Sequence, residues 1–180
     1  LILFGGASTY GQFLDDTETF AYQLQQKLPT INVINYTAPG YGLVHAYTLL
    51  KTKQATLKPG DIVFYTYFTA QDHRPNRQLE KEMYASIQAG LLTNYHYTKL
   101  NESLTPVLIK YNYHLWPLNQ YLAVINFAED SYNAYLDKKE NTNDIARKAI
   151  VEMNKLCKEK GARFILNIRR ANDLTLKTAA

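Results

Sequence analysis

The chain has 180 residues, of which 46% are hydrophobic and 20% charged, and its formal net charge is +4. This size suits a single compact domain, and the composition is that of an ordinary globular protein. The basic residues are scattered, which argues against a nucleic-acid-binding surface, and no run approaches the roughly 18–20 apolar residues of a membrane span. The single cysteine, Cys157, excludes an internal disulfide and lies on the apolar side of a predicted helix, where we expect an unreactive buried thiol.

Four short apolar runs predict β-strands. They are Leu1–Phe4, Ile31–Ile34, Asp61–Tyr67 and Phe164–Ile168. Helical spacing of apolar residues predicts helices from Asp16 or Thr17 to Pro29, after the turn Pro39–Gly42, and over Asn143–Lys160 with Gly161 as its C-terminal cap. Strands joined by helices require crossover connections, so we expect an α/β fold, a three-layer α/β/α sandwich with a mostly parallel sheet.

The segment Arg77–Glu140 differs from the rest because it is rich in tyrosine and holds the only tryptophan, Trp116. We interpret it as a mostly helical insertion or cap within the domain, with Pro106 and Pro117 breaking the helical runs. Two roles remain open for its aromatic residues. They either pack the insertion, since tyrosine covers a large area with a polar tip, or line a substrate cleft.

A glycine-rich turn, Phe4–Gly11, follows the first predicted strand directly. In parallel α/β sheets ligands bind at the carboxyl ends of the strands, and glycines there expose N–H groups toward developing negative charge. Gly6 and Gly11 have the spacing of a P-loop, but Gln12-Phe13 replaces the Lys-Ser/Thr pair that binds phosphates and Mg²⁺. The dinucleotide pattern G-x-G-x-x-G is also absent from the sequence, so nucleotide binding is not favoured.

The run Gly5-Gly6-Ala7-Ser8-Thr9-Tyr10-Gly11 resembles the first conserved block of the SGNH/GDSL hydrolase superfamily of serine ester hydrolases. In that register Ala7 occupies the position of the nucleophilic serine, and a methyl group cannot attack a carbonyl. Ser8 is the alternative nucleophile, but it lies one residue too close to Gly11, and a shift of one position turns a side chain to the other face. Otherwise we expect Ser8 to contact the substrate.

Two further blocks extend the resemblance. In the run Asn35–Gly42, Gly40 aligns with the family glycine whose N–H lines the oxyanion hole, and Tyr41 beside it is a candidate substrate contact. Because glycine has no Cβ, the backbone N–H at this position can approach the oxyanion closely without a clash. After the third strand, the resemblance implies a side-chain oxyanion donor and nearby substrate contacts. The donor candidates are Gln71 and Asn76, and the candidate contacts are Asp72 and His73.

The fourth family element, a late Asp-x-x-His, does not occur in the sequence. Its four histidines are His45, His73, His96 and His114, and none follows an aspartate by three residues. We expect the chain to be truncated at both ends, with this dyad beyond Ala180. The resemblance covers about residues 1–76 by motif and 141–168 by architecture.

The resemblance implies a flavodoxin-like SGNH hydrolase fold and a Ser-His-Asp mechanism acting on a small-molecule or carbohydrate acyl ester, with acetylated carbohydrates favoured. It implies no cofactor, and the single cysteine and scattered histidines predict no zinc site. It also favours a location outside the cytoplasm and leaves the oligomeric state open. Two alternatives remain: an O-acyltransferase of the same fold, and a catalytically inactive carbohydrate-binding module in which Ala7 is the natural residue.

Overall fold

The computed structural model describes residues 1–68, 81, 84–90, 96–110, 113–139 and 142–169. The chain divides into two compact units. The first unit comprises Leu1–Asp72 and Ala146–Ala180, and the second comprises His73–Ile145. The segment expected to be an insertion therefore falls within the second unit.

The described residues form both strands and helices. The strands are β1 (Ile2–Gly5), β2 (Ile34–Thr37), β3 (Ile62–Phe68), β4 (His96–Leu100), β5 (Pro106–Lys110) and β6 (Arg163–Arg169). The helices are α1 (Ala7–Tyr10), α2 (Phe20–Lys27), α3 (Leu43–Lys53), α4 (Ala123–Lys139) and α5 (Thr142–Glu159), with 3₁₀ turns at Asp16–Glu18 and Gln54–Thr56. No helix in these described stretches is both long enough and apolar enough to cross a bilayer.

The first unit contains a four-stranded sheet in the order β2-β1-β3-β6, and every neighbouring pair is parallel. This confirms the expected α/β class with a parallel sheet. Helix α2 lies on one face, where the Phe20 and Phe64 rings are 6.1 Å apart. The right-handed crossover rule assigns α3 to the opposite face, which is compatible with a three-layer arrangement.

The second strand is displaced from its predicted position. We expected Ile31–Ile34, whereas β2 begins at Ile34, which pairs with Ile2 of β1. The cause is the Gln25 side chain, which donates to the Ile31 carbonyl at 2.8 Å and accepts from the Val33 N–H at 2.9 Å. These bonds occupy backbone groups that a strand would otherwise use, so strand pairing starts after them.

The end of α5 agrees with the sequence prediction, whereas the start of α2 does not. Helix α5 precedes Gly161, whose φ of 69° provides the predicted left-handed cap. Cys157 on the same helix is buried, as expected, and burial raises the pKa of its thiol to about 11. The predicted cap of α2, Asp16 or Thr17, is wrong. Thr19 is the cap, since its hydroxyl accepts from the Tyr22 N–H at 3.3 Å.

The second unit departs from the expected helical insertion because residues 96–110 form an antiparallel hairpin, β4 with β5. The Asn101 side chain organises the turn by accepting from the N–H groups of Ser103 and Thr105 at 3.1 and 2.8 Å. Pro106 does not break a helix here. It is the first residue of β5, a position where the missing N–H is tolerated.

A buried carboxylate, Glu129 on α4, connects the parts of the second unit. Its side chain is 0% exposed, and its Oε1 accepts from the Tyr113 hydroxyl at 2.9 Å and the Trp116 N–H at 3.0 Å. Its Oε2 accepts from the Asn119 amide and lies 3.5 Å from the Lys81 ammonium. Burial, together with Glu129, raises the pKa of the Tyr113 hydroxyl above its ordinary value. A carboxylate with this many donors is fully compensated for its loss of water.

We predict that Glu129→Gln destabilises the second unit by about 3–5 kcal/mol, because it removes the buried negative charge beside Lys81 and puts an NH₂ donor where one carboxylate oxygen accepted hydrogen bonds. The matched control is Asp130→Asn on the same helix. Asp130 bonds Lys81 at 2.5 Å, but its side chain is 43% exposed. We expect this control to cost less than about 1 kcal/mol.

The measurement is urea unfolding followed by tryptophan fluorescence, since Trp116 is the only tryptophan and reports on this unit alone. Equal small effects of Glu129→Gln and Asp130→Asn would show that the Glu129 network does not hold the unit together.

Candidate functional site

The carboxyl edge of the sheet brings two of the predicted site residues to neighbouring strands. Ala7 follows β1 and Gly40 follows β2, and these strands pair in parallel with Gly5 opposite Thr37. The Ala38 N–H continues the ladder by donating to the Gly5 carbonyl at 3.4 Å. Ala7 and Gly40 therefore lie just beyond the ends of adjacent strands, at the edge where parallel α/β sheets bind their ligands.

The turn that carries Ala7 is shaped by close packing between Gly5 and Thr9. A Cβ added at Gly5 would lie 2.6 Å from the Thr9 Oγ1, and Thr9 is itself buried. Gly11, at a φ of 87°, closes the single turn of α1 by donating its N–H to the Ala7 carbonyl at 3.0 Å. Ala7 is half-buried and Ser8 is exposed, so the turn leaves both side chains outside the Gly5–Thr9 contact.

Backbone N–H groups supply the hydrogen-bond donors of this edge. Within the described part of the chain, the N–H groups of Ala7 and Gly40 have no hydrogen-bond acceptor. For Ala7 this follows from its place in the first turn of α1, where N–H groups lack intrahelical partners. Neither group is therefore engaged by the described part of the chain.

Glycine at position 40 is required by its backbone conformation. Its φ is 79°, in the left-handed region, and an added Cβ would meet no atom within 4 Å. The clash expected from the sequence is one between such a Cβ and the oxyanion of a ligand, and it stays a prediction. The requirement comes from the left-handed φ, which costs an ordinary residue about 1–2 kcal/mol.

His45 positions the turn that follows β2. Its Nδ1 accepts from the Gly42 N–H at 3.3 Å, and its ring stacks on Tyr41 with centroids 4.6 Å apart. Burial lowers the pKa of His45 below its ordinary value of 6.5. The sequence predicted Tyr41 as a substrate contact; the structure places it half-buried against His45. The sequence analysis missed this role of His45, although its position three residues after Gly42 fits the spacing of a helix cap.

A cavity of about 520 Å³ opens at the carboxyl ends of β3 and β6. Its lining consists of Ser8, Phe68, Asn167, Ile168 and Arg169. Ser8 was a candidate substrate contact, and it forms part of this wall. No histidine is among the described residues that line this cavity. Asn167 and Arg169 were missed from the sequence, although both lie at the carboxyl end of a predicted strand.

The remaining predicted site residues, Gln71, Asp72, His73 and Asn76, lie outside the described residues. The third motif block is therefore not placed. Over the described stretches, no group of three or more His, Cys, Asp or Glu side chains is arranged to hold a metal ion.

Comparison of the sequence with protein-family models finds no match, and a search of curated proteins finds none either.

We predict that the stability of the first unit falls as the pH drops below 6.5, the ordinary pKa of histidine. The folded-state pKa of His45 is lowered, so the unfolded chain binds this proton more readily than the folded chain. The contribution of neutral His45 is therefore fully present above 6.5 and is lost as the pH falls through its folded-state pKa. Protonation of Nδ1 would also remove the acceptor for the Gly42 N–H.

Thermal unfolding followed by circular dichroism between about pH 7.5 and about pH 5 measures this effect. The control is His45→Gln, which keeps a side-chain acceptor but does not titrate, and its unfolding should depend less on pH. Identical pH profiles for the two proteins would rule out His45 as the group responsible.

Proposed function

We propose that this chain forms the ester-binding core of a serine ester hydrolase of the SGNH/GDSL type, with Ala7 at the position of the nucleophile. The observation that carries the proposal is the placement of Ala7 and Gly40 at the carboxyl ends of adjacent parallel strands, each with an N–H that has no acceptor among the described residues. The strand order β2-β1-β3-β6 agrees with the first four strands of a flavodoxin-like sheet, which supports the finer fold assignment.

The proposed reaction assigns a role to each part of this edge. A serine at position 7 would attack the ester carbonyl carbon, and the carbonyl oxygen would become an oxyanion between the N–H groups of residue 7 and Gly40. A Gln71 or Asn76 side chain would add a third donor. A histidine base would take the serine proton and return it to the leaving alcohol, and water would then release the acid from the acyl-enzyme.

With alanine at position 7 the same edge binds an ester carbonyl but cannot form the acyl-enzyme. Preorganised N–H donors act on whichever oxygen lies between them, and each is worth about 10²–10³ in kcat in enzymes that carry the nucleophile. Two related functions follow from the same geometry: transfer of the acyl group to a hydroxyl instead of water, and binding of an acylated carbohydrate without reaction. A left-handed Gly40 turn beside Ala7 is also what a binding module would need, and this is the second candidate.

We predict that the 180-residue chain does not hydrolyse p-nitrophenyl acetate, and that Ala7→Ser alone recovers little activity. The sequence has neither a nucleophile at position 7 nor an Asp-x-x-His, and losing either member of such a unit costs nearly as much as losing both. Labelling by a fluorophosphonate probe measures acyl-enzyme competence. It should require both the serine and an added Asp-x-x-His segment. Robust hydrolysis by the unmodified chain would overturn this assignment and point to Ser8.

The oxyanion role of Gly40 is tested with methyl methylphosphonate, an unreactive anion that resembles the tetrahedral intermediate. We expect it to shift the amide NMR resonances of Ala7 and Gly40, and we expect Gly40→Ala to weaken its binding at least about tenfold because the turn must change conformation. Gly60→Ala is the matched control, since Gly60 has a φ of 87° and open space around its Cβ.

Both glycine variants should lose about 1 kcal/mol of stability, but only Gly40→Ala should affect the phosphonate. Binding that leaves the Ala7 and Gly40 resonances unmoved, or equal weakening by the two variants, would contradict the proposed site.

A further inference from the structure

The cavity beside the proposed ester site combines polar and charged groups on one face of the sheet. Phe68 of β3 pairs with Arg169 of β6, and Asn167 precedes Arg169 by two residues. Directly paired residues of parallel strands project from the same face, as do residues two apart on one strand. The ring of Phe68, the amide of Asn167 and the guanidinium of Arg169 therefore project from the same side of the sheet.

Ser8 connects this cavity to the position of the nucleophile. It lines the cavity and directly follows Ala7, so their Cα atoms are about 3.8 Å apart. A ligand whose ester carbonyl lies at the Ala7 N–H would therefore extend a neighbouring group into the cavity. The volume, about 520 Å³, is within the range of roughly 300–1,000 Å³ typical of small-molecule sites.

The charge of the lining decides which group fits. Arg169 carries a full positive charge, Asn167 and Ser8 offer neutral hydrogen-bonding groups, and no acidic side chain is among the lining residues described. A guanidinium binds a carboxylate through two parallel hydrogen bonds, which are stronger than bonds between neutral groups. It has five N–H donors, so Arg169 can serve its partner within the chain and a ligand together.

We propose that this cavity is a specificity subsite for an anionic ester, in which Arg169 and Asn167 bind a carboxylate located close to the ester carbonyl. The inference rests on the proposed function, because it takes the ester carbonyl to be bound at Ala7 and Gly40. It assigns the substrate class, namely an ester whose acyl or alcohol part carries a negative charge a few bonds from the carbonyl.

The test compares three esters by NMR titration of the unmodified chain, in which Ala7 prevents turnover. Monomethyl succinate carries its carboxylate on the acyl side, O-acetylglycolate carries it on the alcohol side, and dimethyl succinate is a neutral analogue of the first. We expect one anionic ester to bind about three- to tenfold more tightly than dimethyl succinate, and the preferred one identifies the side of the ester that enters the cavity.

Variants at the two ends of β6 separate a specific site from general attraction to a basic protein. Arg169→Met should abolish the preference for the anionic ester, and Arg169→Lys should keep part of it as a point charge without the paired bonds. Arg163→Met is the matched control: Arg163 is exposed at the opposite end of the same strand, and its loss changes the net charge equally. This control should leave the preference unchanged.

Equal affinity for anionic and neutral esters, or a preference that survives in Arg169→Met, would overturn the anionic subsite. If the Ala7 and Gly40 resonances still respond to the neutral ester and to methyl methylphosphonate, the ester site stands and the subsite alone is wrong. If neither resonance responds to any of these ligands, the proposed function itself fails. Thermal unfolding of each variant confirms that it is folded before its affinity is compared.

Discussion

The parallel pairing of β1 with strands on both of its sides is the constraint on which the first unit depends. Ile2 lies opposite Ile34 on one side and Val63 on the other, so a single register joins three strands. Leu3 and Phe4, on opposite faces, are 0% and 1% exposed. If β1 slipped by one residue against its neighbours, each of its side chains would turn to the opposite face of the sheet, so a change of register costs free energy. Because these strands are parallel, the segments that follow β1, β2 and β3 all leave the sheet at its carboxyl edge.

In the glycine-rich turn after β1, the glycines are required by the packing and backbone conformation of the turn. Gly5 is required by its contact with Thr9, and Gly11 by its positive φ at the end of α1. Neither requirement involves the side chain at position 7. The turn is therefore compatible with alanine or serine at position 7, and the backbone N–H at this position is the same for both residues.

The second unit is organised around a polar centre. Among its described residues, the buried hydrophobic side chains are Leu100 and Tyr113, whereas Glu129 and Asn133 are buried and polar. The Tyr113 hydroxyl donates to Glu129 and accepts from Asn133 at 2.7 Å, so aromatic packing and hydrogen bonding act through the same side chain. For Tyr113, of the two roles left open for the aromatic residues, packing inside its own unit is the one observed. Large apolar side chains such as Phe127, which is 73% exposed, lie on the outside of α4.

The sequence by itself determined the features that depend on neighbouring residues along the chain. The apolar runs predicted β1, β3 and β6, and the helical stripe with its terminal Gly161 predicted α5, because periodicity and a left-handed cap are local properties. The family resemblance of two short motifs also selected Ala7 and Gly40, which the structure places after adjacent strands. It could not place Gln71 or Asn76, which lie outside the described residues.

Tertiary structure decided what depends on contacts between distant residues. The start of β2 was set by the Gln25 side chain, the hairpin by pairing between His96–Leu100 and Pro106–Lys110, and the buried state of Glu129 by donors from separate segments. The cavity joins Ser8 to Arg169, which are separated by nearly the whole chain and meet only because β3 and β6 pair beside β1. The local propensity of a segment does not predict contacts between residues so far apart in the sequence, because the free energy that favours them is gained only when the strands associate.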